Sequence, residues 1–159
     1  MTNLYLGLGR GPIDHKSSSI INIIANEVNM EMGGCVKAVA QPSAELLPRV
    51  DKTDAITDIG YGIVVGGDND GVYGDGGASP ADNTTKASTT VGQALVICTQ
   101  GRCLARISEA TTIGAALSPD ATGDLQLADT ATHFILCRAL QVGAAGDIIA
   151  VDVQREGAF

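Results

Sequence analysis

The clearest pattern in this chain lies between residues 91 and 153, where short apolar runs alternate with residues that favour turns. One run has its apolar side chains at Cys103, Ala105 and Ile107, a period of two that is typical of a strand buried on one face. No amphipathic helix separates the runs. The region therefore predicts a small β-barrel or sandwich, with strands at residues 93–98, 102–107, 113–117, 125–127, 134–140 and 148–153.

The turns between these strands are predicted from their residue types. Gly101 lies between two apolar runs, which predicts a β-hairpin that pairs residues 93–98 with residues 102–107. Residues 118–124 combine a proline, two aspartates and a glycine, and residues 143–147 combine two glycines with an aspartate. Because these residue types favour turn conformations, we expect the chain to reverse at both places.

The first half of the chain shows a looser version of the same pattern. Four isoleucines within residues 20–24 favour a strand, because β-branched side chains suit a pleated surface. Further strands are expected at residues 35–39, where two glycines precede an apolar run, and at residues 59–65. The whole chain from residue 20 to residue 159 is therefore predicted to form one all-β barrel domain.

A weak internal repeat links the two halves. The strand that ends at Val65 corresponds to the strand that ends at Leu140 with an offset of 75, and residues 92–96 correspond to residues 146–150. The identities are few, so convergent use of the same strand and turn signals would give a similar pattern. A true repeat predicts two similar halves, of which the first carries an insertion at residues 66–90.

This insertion is the most polar stretch of the chain, and we predict a long Gly/Asp-rich loop. Asp68, Asn69, Asp70 and Asp75 offer the oxygen ligands that calcium prefers, but their spacing lacks the pattern and the final glutamate of an EF-hand. Aspartate, asparagine and glycine are also common in any long surface turn. We therefore predict no metal site here and treat calcium as the less favoured alternative.

Residues 1–19 form an extended N-terminal arm in this interpretation. The segment is too rich in glycine and serine for a packed core, yet it carries apolar side chains and one arginine, and two interpretations remain open. It is a disordered terminus, or it orders against a partner by adding a strand to an exposed sheet edge. In the second case the contacting residues are Leu4, Tyr5, Leu6, Leu8 and Arg10.

Composition narrows the possible partners of this 159-residue chain. Its net charge of −8 opposes nucleic-acid binding through phosphates, and no apolar run is long enough to span a bilayer. The four cysteines form no CxxC pair, and the two histidines, His15 and His133, are far apart in the chain. We therefore expect reduced, buried thiols in strands rather than a zinc site. Aromatic residues make up only 3% of the chain, so the core is thin and oligomerisation would add burial.

A subunit interface is predicted along residues 93–98. This run is apolar on both faces, which is expected only if a second surface, such as a neighbouring subunit, covers its outer side. Arg102 and Arg106 lie on the polar face of the next strand, where arginines are either solvated or paired with carboxylates across a subunit boundary. The predicted interface residues are Leu95, Ile97, Arg102 and Arg106.

No catalytic site is predicted from the sequence, and no cofactor. The glycines of residues 7–11 lack the strand before and the helix after that a dinucleotide-binding loop requires. His133 has no partner close in sequence, and a general base is recognised by its geometry with such partners. We therefore expect an ordinary histidine at the rim of the barrel, and no enzyme.

The strand and turn pattern of residues 112–117, 122–128, 135–140 and 144–151 resembles the small capsid decoration, or cement, proteins of tailed bacteriophages. In that family the sequence G-x-x-L, turn, G-x-L, x-G-x-A-L, A-x-x-G-D-x-V-x-V builds a compact β-barrel. The resemblance covers about residues 91–153 well and 33–65 loosely. The chain departs from the pattern at Cys137, where a glycine is common, and in the insertion at residues 66–90.

The resemblance implies a structural virion protein on the capsid exterior. It would bind the major capsid protein, typically as a homotrimer, and stabilise the shell by bridging neighbouring capsid subunits. The arm would then carry much of the capsid contact. The alternative is a receptor- or glycan-binding β-barrel of a virion fibre or tail, for which Tyr73 in the insertion is the one aromatic candidate for stacking on a sugar.

Overall fold

The computed structural model describes residues 19–28, 30–41, 46–67, 86–88, 90–129 and 132–156. Within these ranges the protein is built from β-strands without a helix, which confirms the predicted all-β class. The strands are β1 (Ser19–Ala25), β2 (Met30–Glu31), β3 (Cys35–Val39), β4 (Arg49–Lys52), β5 (Gly62–Gly67), β6 (Lys86–Ser88), β7 (Ala94–Arg106), β8 (Ala116–Pro119), β9 (Leu125–Leu127), β10 (Ile135–Ala139) and β11 (Ile148–Glu156).

Five strands close into the predicted small barrel. They pair in the order β1-β4-β3-β5-β7, and β1 pairs again with β7, so the ring has no free edge. Only β1 and β4 run parallel, and the other pairs are antiparallel. Side chains that alternate along these strands fill the interior, and each buried aliphatic side chain stabilises the fold by about 1.5–3 kcal/mol. The interior includes Ile23, Val36, Val50, Val64, Leu95 and Ile97.

The predicted hairpin at Gly101 is wrong. Residues 94–106 form the single strand β7, which passes through Gly101 with a φ of +90°. Its first half pairs with β1 and β5, and its second half pairs with β11, so the two runs never pair with each other. Each run finds its hydrogen-bond partners in more distant strands, and the glycine bends the strand where it passes from one set of partners to the other.

The second half of β7 begins a second set of strands, paired in the order β7-β11-β10-β8-β9. We call the described residues from 19 to 100 unit 1, whose barrel strands are β1, β3, β4, β5 and the first half of β7. The described residues from 101 to 156 are unit 2, whose strands are the second half of β7 with β8, β9, β10 and β11. The register repeats between them: Val64 lies opposite Ile97 in unit 1, as Ala139 lies opposite Val151 in unit 2. These pairs are related by the offsets of 75 and 54 seen in the sequence, so the predicted internal repeat is confirmed.

The two units differ where their first and third strands meet, a place we call the seam. In unit 1 these strands are β1 and β4, and in unit 2 they are the second half of β7 and β9. In unit 1 the seam is closed directly, because the Ile24 N–H donates to the Pro48 carbonyl over 3.0 Å. The equivalent residues of unit 2 are Arg106 and Gly123. Their backbone groups bond instead to unit 1: the Arg106 N–H donates to the Gly33 carbonyl over 3.0 Å. The Gly123 carbonyl accepts from the Cys35 N–H over 2.7 Å.

Unit 1 therefore completes unit 2. Outward-facing side chains of unit 1 belong to the same buried cluster as the interior of unit 2, since the seam of unit 2 is open toward them. Among the described residues, the first and third strands of unit 2 meet directly at the bridge between Ile107 and Leu125, where the Ser108 N–H donates to the Leu125 carbonyl over 2.8 Å. The side chains that unit 1 contributes to the shared cluster are Cys35, Ile63, Val65 and Cys98.

Several element boundaries differ slightly from those expected. Ser118 and Pro119 belong to β8, so the predicted turn begins at Asp120 rather than at residue 118. The insertion predicted as a loop also contains strand residues at both ends, since β5 extends to Gly67 and β6 pairs with β2. Turn glycines adopt the expected positive φ, with +87° at both Gly123 and Gly146.

Candidate interaction surfaces

The arm residues predicted to contact a partner lie outside the residues that the structure describes. They are Leu4, Tyr5, Leu6, Leu8 and Arg10. The aspartates that were weighed as calcium ligands, at residues 68–75, also fall outside the described ranges. Both the partner-binding arm and the absence of a metal in the insertion therefore stay predictions, and the candidate surfaces below are built from the two units.

Leu95 and Ile97 were predicted at a subunit interface, and both are fully buried in the interior of unit 1. The opposite face of the same run, with Val96 and Cys98, packs against the shared cluster of units 1 and 2. Both faces are therefore covered within one chain. The inference that an apolar run of this kind requires a neighbouring subunit does not hold here, because the bent strand β7 separates two cores.

Arg106 lies at the boundary between the units rather than facing another subunit. Its Nε donates to Asp124 Oδ1 over 2.5 Å, and its Nη1 forms an ion pair with Glu31 of unit 1. Burial alone would lower the pKa of Arg106, but the two carboxylates raise it. Arg102, the other predicted interface arginine, is exposed and lies opposite Asp152 on β11. The sequence left these arginines either solvated or paired with carboxylates across a subunit boundary, and Arg106 has its carboxylate partners in its own chain.

Two aspartates control the turn that carries Gly123. Burial raises the pKa of Asp124, although Arg106 acts in the opposite direction. Burial would also raise the pKa of Asp120, but donors to its carboxylate lower it overall. These donors include the backbone N–H groups of Thr122 and Asp124, at 2.7 and 2.9 Å, and the Thr122 hydroxyl. Asp120 thus fixes the turn from within and Asp124 ties it to Arg106, and the turn presents the Gly123 carbonyl to unit 1.

The four cysteines are buried free thiols, as expected. A hydrogen bond from the Cys103 thiol lowers the pKa of Cys98, and the same bond together with burial raises the pKa of Cys103. Burial also raises the pKa of Cys35 and Cys137. Because these thiols are enclosed and three of them are harder to ionise, they act as small packing residues at the bend of β7.

His133 lies in a contact that has a counterpart in unit 1. Its Nδ1 accepts from the Asp129 N–H over 3.1 Å and lies 3.3 Å from the Ser118 hydroxyl. At the equivalent positions of unit 1, the Asp58 carboxylate accepts from the Asp54 N–H and pairs with Lys37. The histidine therefore holds the loop before a strand, as the carboxylate does in unit 1. Ser118 is fully buried, so this serine–histidine pair is closed to a substrate.

Within the described ranges, no three His, Cys, Asp or Glu side chains are grouped so that they could hold a metal ion. In the same part of the chain, no helix is long and apolar enough to cross a membrane. The described surface is distinguished instead by exposed apolar side chains on loops.

Two groups of these side chains stand out, one in each unit. The first, which we call the open end, comprises Ile113, Leu140 and Val142 of unit 2, with exposed fractions of 69%, 37% and 61%. The second comprises Leu46 and Leu47, with exposed fractions of 97% and 40%, just before the Pro48 carbonyl that closes the seam of unit 1. Sequence reasoning placed Ile113 in a strand and did not identify either group.

A scan against models of protein families finds no match, and a search of curated proteins finds no relative. Among solved structures, the chain is similar to the N base of the head fibre protein gp8.5 of bacteriophage phi29. The TM-score is 0.55 at 10% sequence identity, and the match covers 88% of this chain and 97% of that one. At this identity the likeness shows that the two chains share a fold.

Proposed function

We propose that this protein is a structural component of a bacteriophage virion, located on the exterior of the head. The observation that carries the proposal is the fold shared with a phage head fibre base over 97% of that chain. The resemblance of residues 112–151 to capsid decoration proteins supports the same location independently, because it rests on the sequence rather than on the shape. Fold alone does not define a function, so the assignment depends on these two lines together.

The more specific role that we propose is that of a cement protein, which binds the major capsid protein and bridges neighbouring capsid subunits. The N-terminal arm supplies the contact in this proposal, by adding a strand to an exposed sheet edge of the shell. Its apolar residues Leu4, Tyr5, Leu6 and Leu8 would enter pockets of the shell, and Arg10 would pair with an acidic group. A homotrimer would engage several subunits at once, and avidity then gives stable attachment from weak single contacts.

The physical character of the two units suits this role. Unit 1 closes on itself and unit 2 is completed by backbone hydrogen bonds to unit 1, and these bonds cover strand edges that could otherwise pair unspecifically. The net charge of −8 keeps the free protein soluble at the high local density of a capsid surface. Bridging requires neither catalysis nor a cofactor, and we propose neither for this chain.

A second candidate is a receptor- or glycan-binding barrel in a fibre or tail, which is favoured by the name of the structural neighbour. Glycan sites stack sugars on exposed aromatic rings. Of the aromatic residues that the structure describes, Tyr61 and Phe134 are both half-buried and pack against the cores. The described surface therefore offers little for a sugar, and the cement role is the better supported of the two.

The test uses heads assembled without this protein, to which purified full-length chain is added. We expect saturable binding at a fixed number of copies per capsid subunit, seen by sedimentation of the heads and as added density in cryo-electron microscopy. Replacing Leu4, Tyr5, Leu6 and Leu8 by serine should weaken binding at least tenfold. The matched control replaces Val28 and Val91, which are exposed on unit 1, and should bind as the natural chain does.

Bridging is distinguished from simple attachment by head stability. Decorated heads should resist heating or low ionic strength better than bare heads if the protein joins neighbouring capsid subunits. Binding without any gain in head stability would favour a fibre base over a cement protein. No binding to heads at micromolar concentration would refute the proposed location.

A further inference from the structure

The open end of unit 2 is an apolar surface formed by two adjacent segments. Thr111 and Gly143 form an antiparallel bridge, and the Gly114 N–H donates to the Ala139 carbonyl over 2.8 Å. These bonds place the segment with Ile113 next to the segment with Leu140 and Val142, and all three side chains are exposed. Polar residues are the norm at loop tips of this kind, so three neighbouring aliphatic side chains mark a surface that fits an apolar partner.

The internal repeat shows what this position does in the other half of the molecule. The turn of unit 1 that corresponds to the Gly114 turn is the Gly33 turn, which contacts unit 2 through the Gly33 carbonyl and the Cys35 N–H. Val65, which corresponds to Leu140, is buried in the cluster that joins the units. In unit 1, this end of the barrel is therefore the surface that docks against the next unit.

The repeat also identifies the surface that receives such a turn. The Gly33 turn of unit 1 lies against the seam of unit 2, beside Gly123. The residue of unit 1 equivalent to Gly123 is Pro48. Just before it, unit 1 exposes Leu46 and Leu47 at positions where unit 2 has the exposed Ala121 and Thr122. Because two leucines stand where unit 2 has an alanine and a threonine, this receiving surface is apolar in unit 1 only.

We propose that the open end of unit 2 in one copy of this chain docks against Leu46 and Leu47 of unit 1 in a second copy. Within one chain, this end of unit 1 docks against the seam side of unit 2. In the proposed contact, the same end of unit 2 docks against the seam side of unit 1 in the next copy. The seam of unit 1 is already closed by Ile24 and Pro48, so the second copy makes side-chain contacts and not the backbone bonds of the internal interface. This proposal concerns contacts between copies and does not rest on the proposed capsid binding.

Two properties of the contact follow from its chemistry. It is head-to-tail, so it closes into a ring when the rotation between copies allows and otherwise extends as a filament. It is also apolar while each copy carries a net charge of −8, so repulsion between copies opposes it. Because salt screens that repulsion, association should strengthen as the salt concentration rises from about 0.05 to 0.5 M.

The experiment measures self-association of the full chain by sedimentation velocity and native mass spectrometry at concentrations up to about 0.5 mM. Two double variants each remove one side of the contact: Ile113→Asp with Val142→Asp, and Leu46→Asp with Leu47→Asp. The control, Ile56→Asp with Ile59→Asp, adds the same charge at exposed sites on the loop between β4 and β5, which is not part of the proposed contact. We expect the natural chain and the control to associate, and each double variant alone to remain monomeric.

The decisive step mixes the two double variants in equal amounts. One retains an intact unit 1 surface and the other an intact open end, so the mixture should form a dimer of one copy of each and no larger species. A monomeric natural chain at 0.5 mM would overturn the proposal. So would association of either double variant alone, because that pattern indicates a contact between like surfaces. Circular dichroism of each variant should show that the fold is retained.

Discussion

Unit 1 and unit 2 share strand order and register, yet they close differently at the seam. At the seam, unit 1 has Ile24 and Pro48 and joins them directly, whereas unit 2 has Arg106 and Gly123 and joins each to unit 1. The two units thus have the same strand pairing and differ in the backbone hydrogen bonds at one pair of equivalent positions. The comparison teaches that two repeated units are joined into one structure when one unit leaves backbone groups unpaired at its seam and the other unit supplies their partners.

The inequality has a local cause in the connection between the second and third strands. In unit 2 this connection is the short turn of residues 120–124, which Asp120 fixes and Gly123 ends with a φ of +87°. In unit 1 it is the longer stretch of residues 40–48, which ends at Pro48. The short turn holds the Gly123 carbonyl away from the Arg106 N–H, and the Gly33 turn occupies the space between them.

The largest expected effect comes from Gly33→Ala. Gly33 has a φ of +77°, and a Cβ at this position would lie 3.2 Å from the Arg106 backbone nitrogen. That nitrogen cannot move away without breaking its hydrogen bond to the Gly33 carbonyl. The left-handed conformation alone costs about 1–2 kcal/mol, and the steric conflict adds about 1–3 kcal/mol. We therefore expect a loss of about 2–5 kcal/mol in the free energy of unfolding, measured by urea denaturation.

The equivalent substitution in unit 2 is the matched control. Gly114 has a φ of +83°, but a Cβ there would meet nothing within 4 Å. Gly114→Ala should therefore cost only the conformational term of about 1–2 kcal/mol. Equal losses in the free energy of unfolding for the two variants would show that the Gly33 turn is not packed tightly against unit 2. The proposed difference between the two units would then be wrong.

Removing the charge of Arg106 should have the next largest effect. In Arg106→Met the carboxylates of Glu31 and Asp124 lose their cation at the boundary between the units. Buried pairs cost about 3–5 kcal/mol when broken and exposed pairs about 0–1 kcal/mol, so this half-buried site should lose about 1–3 kcal/mol at pH 7. Arg102→Met, on the exposed face of the same strand, should lose less than about 1 kcal/mol.

The pH dependence of Arg106→Met has a defined sign. The folded-state pKa of Asp124 is already raised by burial, and without Arg106 it rises further. The folded variant then binds protons more tightly than the unfolded chain, so its deficit relative to the natural protein shrinks as the pH falls from 7 toward 4. A deficit that grew on acidification would contradict the assignment of Arg106 as the counter-charge of Asp124.

Much of the structure that the two units share can be predicted from the sequence, because strands and turns depend on local residue patterns. β1, β3, β9 and β11 follow from apolar patterning, and the turns at Gly123 and Gly146 follow from residues that tolerate their conformations. The internal repeat was visible as constant offsets even where identities are few. Register depends on which side chains face the core, and two units with the same alternation therefore adopt the same pairing.

What the sequence did not predict depends on partners that are distant along the chain. Gly101 has the local signature of a hairpin, and only competition from β1, β5 and β11 makes it a bend within one strand. The two apolar faces near Ile97 indicated burial correctly, but nothing local distinguishes a second core from a second subunit. The one visible signal for the docked turn was the pair Gly33 and Gly34, since adjacent glycines before a strand permit close approach of another backbone.

The smallest expected effect tests the turn that makes unit 2 different. Asp120→Asn retains a side-chain oxygen but loses the charge that accepts from the backbone of Thr122 and Asp124. Hydrogen bonds to a charged group contribute about 1.5–3 kcal/mol and neutral ones about 1 kcal/mol, so the variant should lose about 1 kcal/mol at pH 7.

The pH dependence of this loss is what identifies the charge as its cause. The folded-state pKa of Asp120 lies below the ordinary value of 3.8, so the ionised form stabilises the fold. This contribution is fully present above about pH 5 and disappears as the pH falls through the folded-state pKa. The natural protein should therefore lose stability between about pH 4 and 2 more steeply than Asp120→Asn does, and the two unfolding curves should converge. A difference that stayed constant over that range would show that shape alone, and not charge, sets the turn that keeps the seam of unit 2 open.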